Sequence, residues 1–125
     1  MKTSNSKPFS ISDRIKSFGY ALQGFKSFFK TQHNAWIHLA ATIVVIVAGF
    51  LFKVSSMEWI ALSFAIALVF ISELFNTAIE FLCDRVSPEF DPRIKLVKDI
   101  SAAAVLIAAL IAVGVGAIVF VPKVL

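Results

Sequence analysis

The chain has 125 residues, 58% hydrophobic and only 16% charged, with a mean hydropathy of +0.85 and a formal net charge of +4. That composition lies well outside the range of soluble domains, and the single Cys83 excludes an intrachain disulfide framework. What remains is an all-α integral membrane protein with no room for a second domain.

Residues 1 to 9 are mostly polar and are expected to be a disordered tail. Ile11, Ile15, Phe18, Leu22, Phe25 and Phe29 then recur at alternating spacings of 4 and 3, which puts them on one helical face. Arg14, Lys16, Gln23, Lys26 and Lys30 fall largely off that face. An amphipathic surface helix over about 11–31 follows, with its basic residues near anionic lipid. Ser10 and Asp13 stand at capping-box spacing, Asp replacing the usual Glu or Gln. The first 30 residues carry six basic residues and no apolar run long enough for a cleaved leader. Gly19 to Ser27, GYALQGFKS, superficially suggests a phosphate-binding P-loop, but its spacing is one residue too long and it lies inside a helical pattern.

A hydrocarbon core of about 30 Å takes roughly 20 helical residues to cross. Three stretches qualify: about 36–52, 59–82 and 100–121. The first is apolar but for His38 and Thr42, the second carries Glu73, Asn76 and Glu80, and the third has no charge. Trp36 and Trp59 open the first two spans, where an aromatic belt places them. In the third, Ala104, Ala108, Ala112 and Gly116 recur every four residues, a seam that lets helices approach closely. Pro88 and Pro92 mark a turn and a fresh helix start before it.

Charge orients the spans. Six basic residues precede the first span, and Arg85, Arg93, Lys95 and Lys98 lie between the second and third, whereas the other side has only Lys53 and Lys123. The positive-inside rule therefore predicts a cytoplasmic amino terminus and an external carboxyl terminus. The polar end of the second span then faces the compartment that holds ATP.

Within that span Glu73, Asn76 and Glu80 are 3 and 4 residues apart, and Asp84 continues the same face toward the exit. A carboxylate in or beside hydrocarbon costs about 2.5 kcal/mol or more on the insertion scale, so it normally has a partner and a role. Interhelical glue is the plain alternative. Lys98 and Asp99 lie where the basic connection enters the third span; alone they read as a snorkelling lysine and a helix-start acid. Beside the carboxylate face they complete a set able to hold Mg²⁺ and phosphates, which is what phosphoryl transfer requires. His33 and His38, five apart at the entry to the first span, read as interfacial hydrogen-bonding residues rather than metal ligands.

The segment ELFNTAIEFLCDRV, a proline-containing basic spacer and KDISAAAVLIAALIAV together resemble the small bacterial membrane diacylglycerol kinase and undecaprenol kinase family over nearly the whole chain. The resemblance implies a single membrane lipid-kinase domain over 10–125, in a multi-pass protein of the bacterial inner membrane. It also implies a homotrimer with its active sites at subunit boundaries, phosphorylating a lipid alcohol with Mg-ATP, and no nucleic-acid partner. On this resemblance Glu73 is the general base, Asn76 organises the site and Glu80 binds metal. Lys98 and Asp99 meet the nucleotide, as do Tyr20 and the stretch Glu89, Phe90 and Asp91. One position departs from the pattern: Gln32 stands where the family usually has a second metal-binding glutamate. NAWIHL at the first span is closer to the undecaprenol branch. Two other classes stay open, a non-enzymatic membrane or stress-response partner, suggested by Gln32, and an ion carrier, which the uncharged third span does not favour.

Overall fold

The computed structural model describes residues 6–125. Residues 1–5 of the tail expected to be disordered lie outside that range, and 6–10 have no regular structure. Four α-helices follow: α1 (Ile11–Thr31), α2 (His33–Leu51), α3 (Ser56–Val86) and α4 (Pro92–Val124). Three of them, α2, α3 and α4, are long and apolar enough to cross a membrane.

Each start has a local cause. Ser10 Oγ accepts from the Asp13 amide at 3.4 Å, which supplies the side-chain half of the anticipated cap. At α3 the box is complete: Ser55 Oγ accepts from the Glu58 amide at 3.2 Å and Glu58 accepts from the Ser55 amide at 2.9 Å. Asp91 caps α4 by accepting from the Arg93 amide at 2.8 Å, with Pro92 at the first helical position, where its missing N–H costs nothing.

A single extended residue, Gln32, with φ −117 and ψ 115, separates α1 from α2. The Trp36 indole donates to the Phe29 carbonyl at 2.8 Å and its ring packs edge-on to Phe29 at 5.2 Å. These contacts fix α1 against the first turns of α2. Short connections make α2, α3 and α4 run antiparallel in succession. The α3–α4 pair is the most extensive packing in the chain, and α2 lies more lightly against α3.

At the end away from α1, α2 closes in a Schellman motif: the Val54 amide donates to the Gly49 carbonyl at 3.1 Å and Lys53 to Phe50 at 3.3 Å. Lys53 takes the left-handed position, φ 51, that glycine usually fills. Buried Val54, Leu62 and Val119 form a small core there, flanked by Val45, Trp59, Val115 and Phe120. The Trp59 ring rests directly on the backbone of Gly49, leaving no space for a Cβ. Lys123 and Glu58 pair across the α3–α4 rim at 3.0 Å.

Two boundaries differ most from expectation. Helix α3 continues through Asp84 to Val86, and α4 begins at Pro92, eight residues before the apolar run at Ile100. Lys98 and Asp99 are thus inside a helix, and the capping acid is Asp91. The small-residue strip also divides. Ala108 is buried against the rest of the chain, whereas Ala112 and Gly116 border an open apolar groove of about 240 Å³ between α2, α3 and α4, and Ala104 is exposed.

Candidate functional site

Helical spacing places Glu73, Asn76, Glu80 and Asp84 on a narrow stripe of α3 that runs from its apolar middle to its polar end. Neighbouring helices supply the partners. Glu73 is 5% exposed and lies within 2.9 Å of His38 Nε2, through Oε1. One turn on, Asn76 Oδ1 accepts from Ser101 Oγ of α4 at 2.8 Å. Engaging the amide oxygen in this way turns Nδ2 toward Glu80 Oε1, a long contact of 3.5 Å. At the end of the stripe, Lys98 Nζ donates to Asp84 Oδ1 at 2.5 Å, joining α4 to α3 again.

Lys98 and Asp99, adjacent in sequence, therefore point to different partners. Asp99 accepts from Lys95 Nζ at 2.6 Å, an i,i+4 pair on the exposed side of α4. Ser87 Oγ holds the connection by donating to the Glu89 carbonyl at 2.7 Å. Asp84, Glu89, Phe90, Asp91, Lys95 and Lys98 border one open cleft of about 340 Å³ beside this turn. Of the six residues expected at a nucleotide, Glu89, Phe90, Asp91 and Lys98 are brought to that cleft, whereas Asp99 and Tyr20 are not.

Tyr20, expected at the nucleotide, and Gln32, expected at the metal, stand apart from the stripe. Tyr20 is 68% exposed on α1, and Gln32 reaches only Thr31 Oγ1, at 3.4 Å. No hydrogen bond or ion pair joins either to the stripe among the described residues. Nor do three or more His, Cys, Asp or Glu side chains gather among the described residues as a ready-made metal cluster. Mg²⁺ does not require one, because it binds through one or two carboxylates while phosphates and water complete its shell. Glu80, with one neighbouring amide and a half-exposed position, fits that requirement.

Sequence reasoning missed two members of the site. Ser101 is 7% exposed and orients Asn76. His38, by its sequence an interfacial hydrogen-bonding residue, faces the most deeply placed carboxylate. Its one sequence signal was being, with Thr42, the only polar interruption of an apolar span.

A buried carboxylate in a spanning helix, continued by polar groups to a cleft holding both acids and lysines, defines a helical membrane protein equipped to handle a charged group at the bilayer surface. Residues 19–120 match the model of prokaryotic diacylglycerol kinase, and the chain belongs to that family. It is 37% identical over 109 residues to undecaprenol kinase of Bacillus subtilis (strain 168), covering 87% of this chain and 89% of that protein. It is 38% identical over 112 residues to diacylglycerol kinase of Synechocystis sp., covering 89% of this chain but 64% of that relative. With diacylglycerol kinase of Escherichia coli (strain K12) the identity is 34% over 107 residues, 79% of this chain and 81% of the other. The named relatives are lipid kinases.

Proposed function

We propose that the protein transfers the γ-phosphoryl group of ATP directly to the hydroxyl of a membrane lipid alcohol at the cytoplasmic interface, with Glu73 as general base. The observation that carries this reading is the burial of Glu73 at the apolar end of a polar stripe whose other end opens on the Lys98 cleft. A lipid hydroxyl can approach from hydrocarbon and a nucleotide from water, and the two meet along α3. Glu73 takes the hydroxyl proton as the new oxygen–phosphorus bond forms. The bond between the γ-phosphorus and the β,γ-bridging oxygen breaks, and ADP leaves with the electron pair. Phosphoryl transfer depends chiefly on positioning and charge stabilisation, and Lys98 supplies a cation for the phosphates once it exchanges its partner Asp84.

Glu80 is the protein carboxylate for Mg²⁺, with Gln32 as a neutral second contributor. When bound, the ion neutralises phosphate charge and orients the nucleotide. Asn76, held by Ser101, keeps its amide toward Glu80. Tyr20, Glu89, Phe90, Asp91 and Asp99 contact ATP in this reading. The subunits form a homotrimer with sites at their boundaries, as the family resemblance implies, and the apolar flanks exposed on one chain are compatible with that association. Undecaprenol is the favoured acceptor over diacylglycerol: the undecaprenol kinase relative aligns over most of its length, and the NAWIHL run carries His38.

Assay of the purified protein with Mg-ATP and each lipid alcohol in turn tests this. Phosphorylated undecaprenol is expected, and Glu73→Gln should lower the turnover by about 100-fold or more while ATP still binds. A fully active Glu73→Gln would remove Glu73 as the base; a wild-type protein that phosphorylates neither lipid would favour a non-enzymatic membrane role.

A further inference from the structure

We propose that His38 is a positioning residue for the Glu73 carboxylate: its Nε2 holds one carboxylate oxygen so that the other is presented to the acceptor hydroxyl. This rests on the reading of Glu73 as general base and adds a group that the family resemblance did not include.

The contact is specific. His38 Nε2 and Glu73 Oε1 are 2.9 Å apart, and theirs is the only side-chain hydrogen bond joining α2 to α3 among the described residues. A carboxylate only accepts, so Nε2 carries the hydrogen; the tautomer follows from the partner. The imidazole is confined as well. Its ring meets the edge of Phe70 at 6.2 Å, and Phe70 in turn lies 6.4 Å from Phe29, which packs on Trp36. The aromatic wall limits the ring to few orientations, and the ring limits the carboxylate.

Glu73 Oε2 makes no hydrogen bond, yet no buried side-chain oxygen lacks a partner among the described residues. Oε2 is therefore the oxygen still open to an approaching group, although the residue as a whole is 5% exposed. One oxygen is anchored and the other reachable. For a base that must take a proton along a defined line, this removes rotational freedom before the substrate arrives, and a displacement of the order of 1 Å can cost about 100-fold in rate.

The plain alternative is that His38 merely satisfies a buried carboxylate. Three substitutions separate the readings in bilayer-reconstituted protein assayed with Mg-ATP and the lipid alcohol that the wild type phosphorylates. In His38→Gln the amide nitrogen lies where Nε2 lay and can still donate. His38→Asn is polar but too short to reach, and His38→Leu has no donor. Positioning predicts that kcat stays within about 3-fold of wild type for His38→Gln. It falls by about 10- to 100-fold for His38→Asn and His38→Leu, with the KM for ATP nearly unchanged. A purely structural role would instead lower the melting temperature of all three according to packing and leave the kcat of the folded fraction intact. That result, or a His38→Gln as impaired as His38→Leu, would overturn the proposal. Should His38→Leu not fold, His38→Asn against His38→Gln makes the same decision. A wild-type protein without lipid phosphorylation would bring down the kinase reading itself and this assignment with it, whereas an active wild type with indifferent His38 variants brings down the assignment alone.

Discussion

Gln32 is the residue at which sequence and geometry bear most directly on each other. It forms the break between α1 and α2, half exposed, and provides no side-chain cap to α2. A glutamate there would place a negative charge at the amino-terminal end of α2, where the helix dipole favours it by about 0.3–1 kcal/mol, so Gln32→Glu should not weaken the fold. It should lower the Mg²⁺ concentration needed for half-maximal activity, since an anionic oxygen attracts the ion more strongly than an amide. Titrating Mg²⁺ against lipid phosphorylation in both proteins checks this. An unchanged Mg²⁺ requirement would show that residue 32 does not face the metal, and activity appearing only in the variant would favour the non-enzymatic reading of the natural chain.

At the scale of helices, the most demanding contact is between Gly49 of α2 and Trp59 of α3. The indole ring occupies the space a Cβ at residue 49 would need, and a ring wedged under Leu62 and Val119 has little room to retreat. Gly49→Ala is expected to lower stability by about 1–3 kcal/mol through overpacking, despite the better helix propensity of alanine. Gly24→Ala on α1, where an added Cβ meets nothing within 4 Å, is the control and should be neutral or slightly stabilising. Thermal melting in detergent compares them, and a Gly49→Ala protein as stable as wild type would mean the two helices separate more easily there than the packing indicates.

The helices themselves were legible because apolar runs of spanning length and the alternating spacing of 4 and 3 in α1 leave few other readings. Their ends were less so. Hydropathy stops at the first charges, but a helix continues past them: Asp84 and Arg85 extend α3 because their side chains reach polar surroundings while the backbone hydrogen bonds carry on. The polar stripe was legible for the same reason as the helix, since residues 3 and 4 apart share a face. What spacing along one helix does not contain is the rotation and register of its neighbours. His38 and Ser101 find Glu73 and Asn76 only through the packing of α2 and α4 on α3.

For the molecule as a whole, the placement of charge makes the orientation testable. A cysteine introduced as Ser6→Cys in a Cys83→Ala background should resist a membrane-impermeant thiol reagent applied outside intact cells and react after lysis. Leu125→Cys, at the opposite end and 97% exposed, should react from outside. Reversed labelling would put the Lys98 cleft on the side without ATP and remove the kinase reading's access to its phosphoryl donor.

Helix α2 is attached to α3 at two levels, by His38 on Glu73 and by Gly49 under Trp59, eleven positions apart, roughly 17 Å of helix. A single spanning helix answers a thinner or thicker bilayer by tilting. One fastened at both levels cannot tilt alone, so hydrophobic mismatch is met either by deforming the surrounding lipid or by straining one of the fastenings. Because one fastening is the His38–Glu73 contact itself, Glu73 acting as the proposed general base would make acyl-chain length in the host membrane a mechanical input to the reaction.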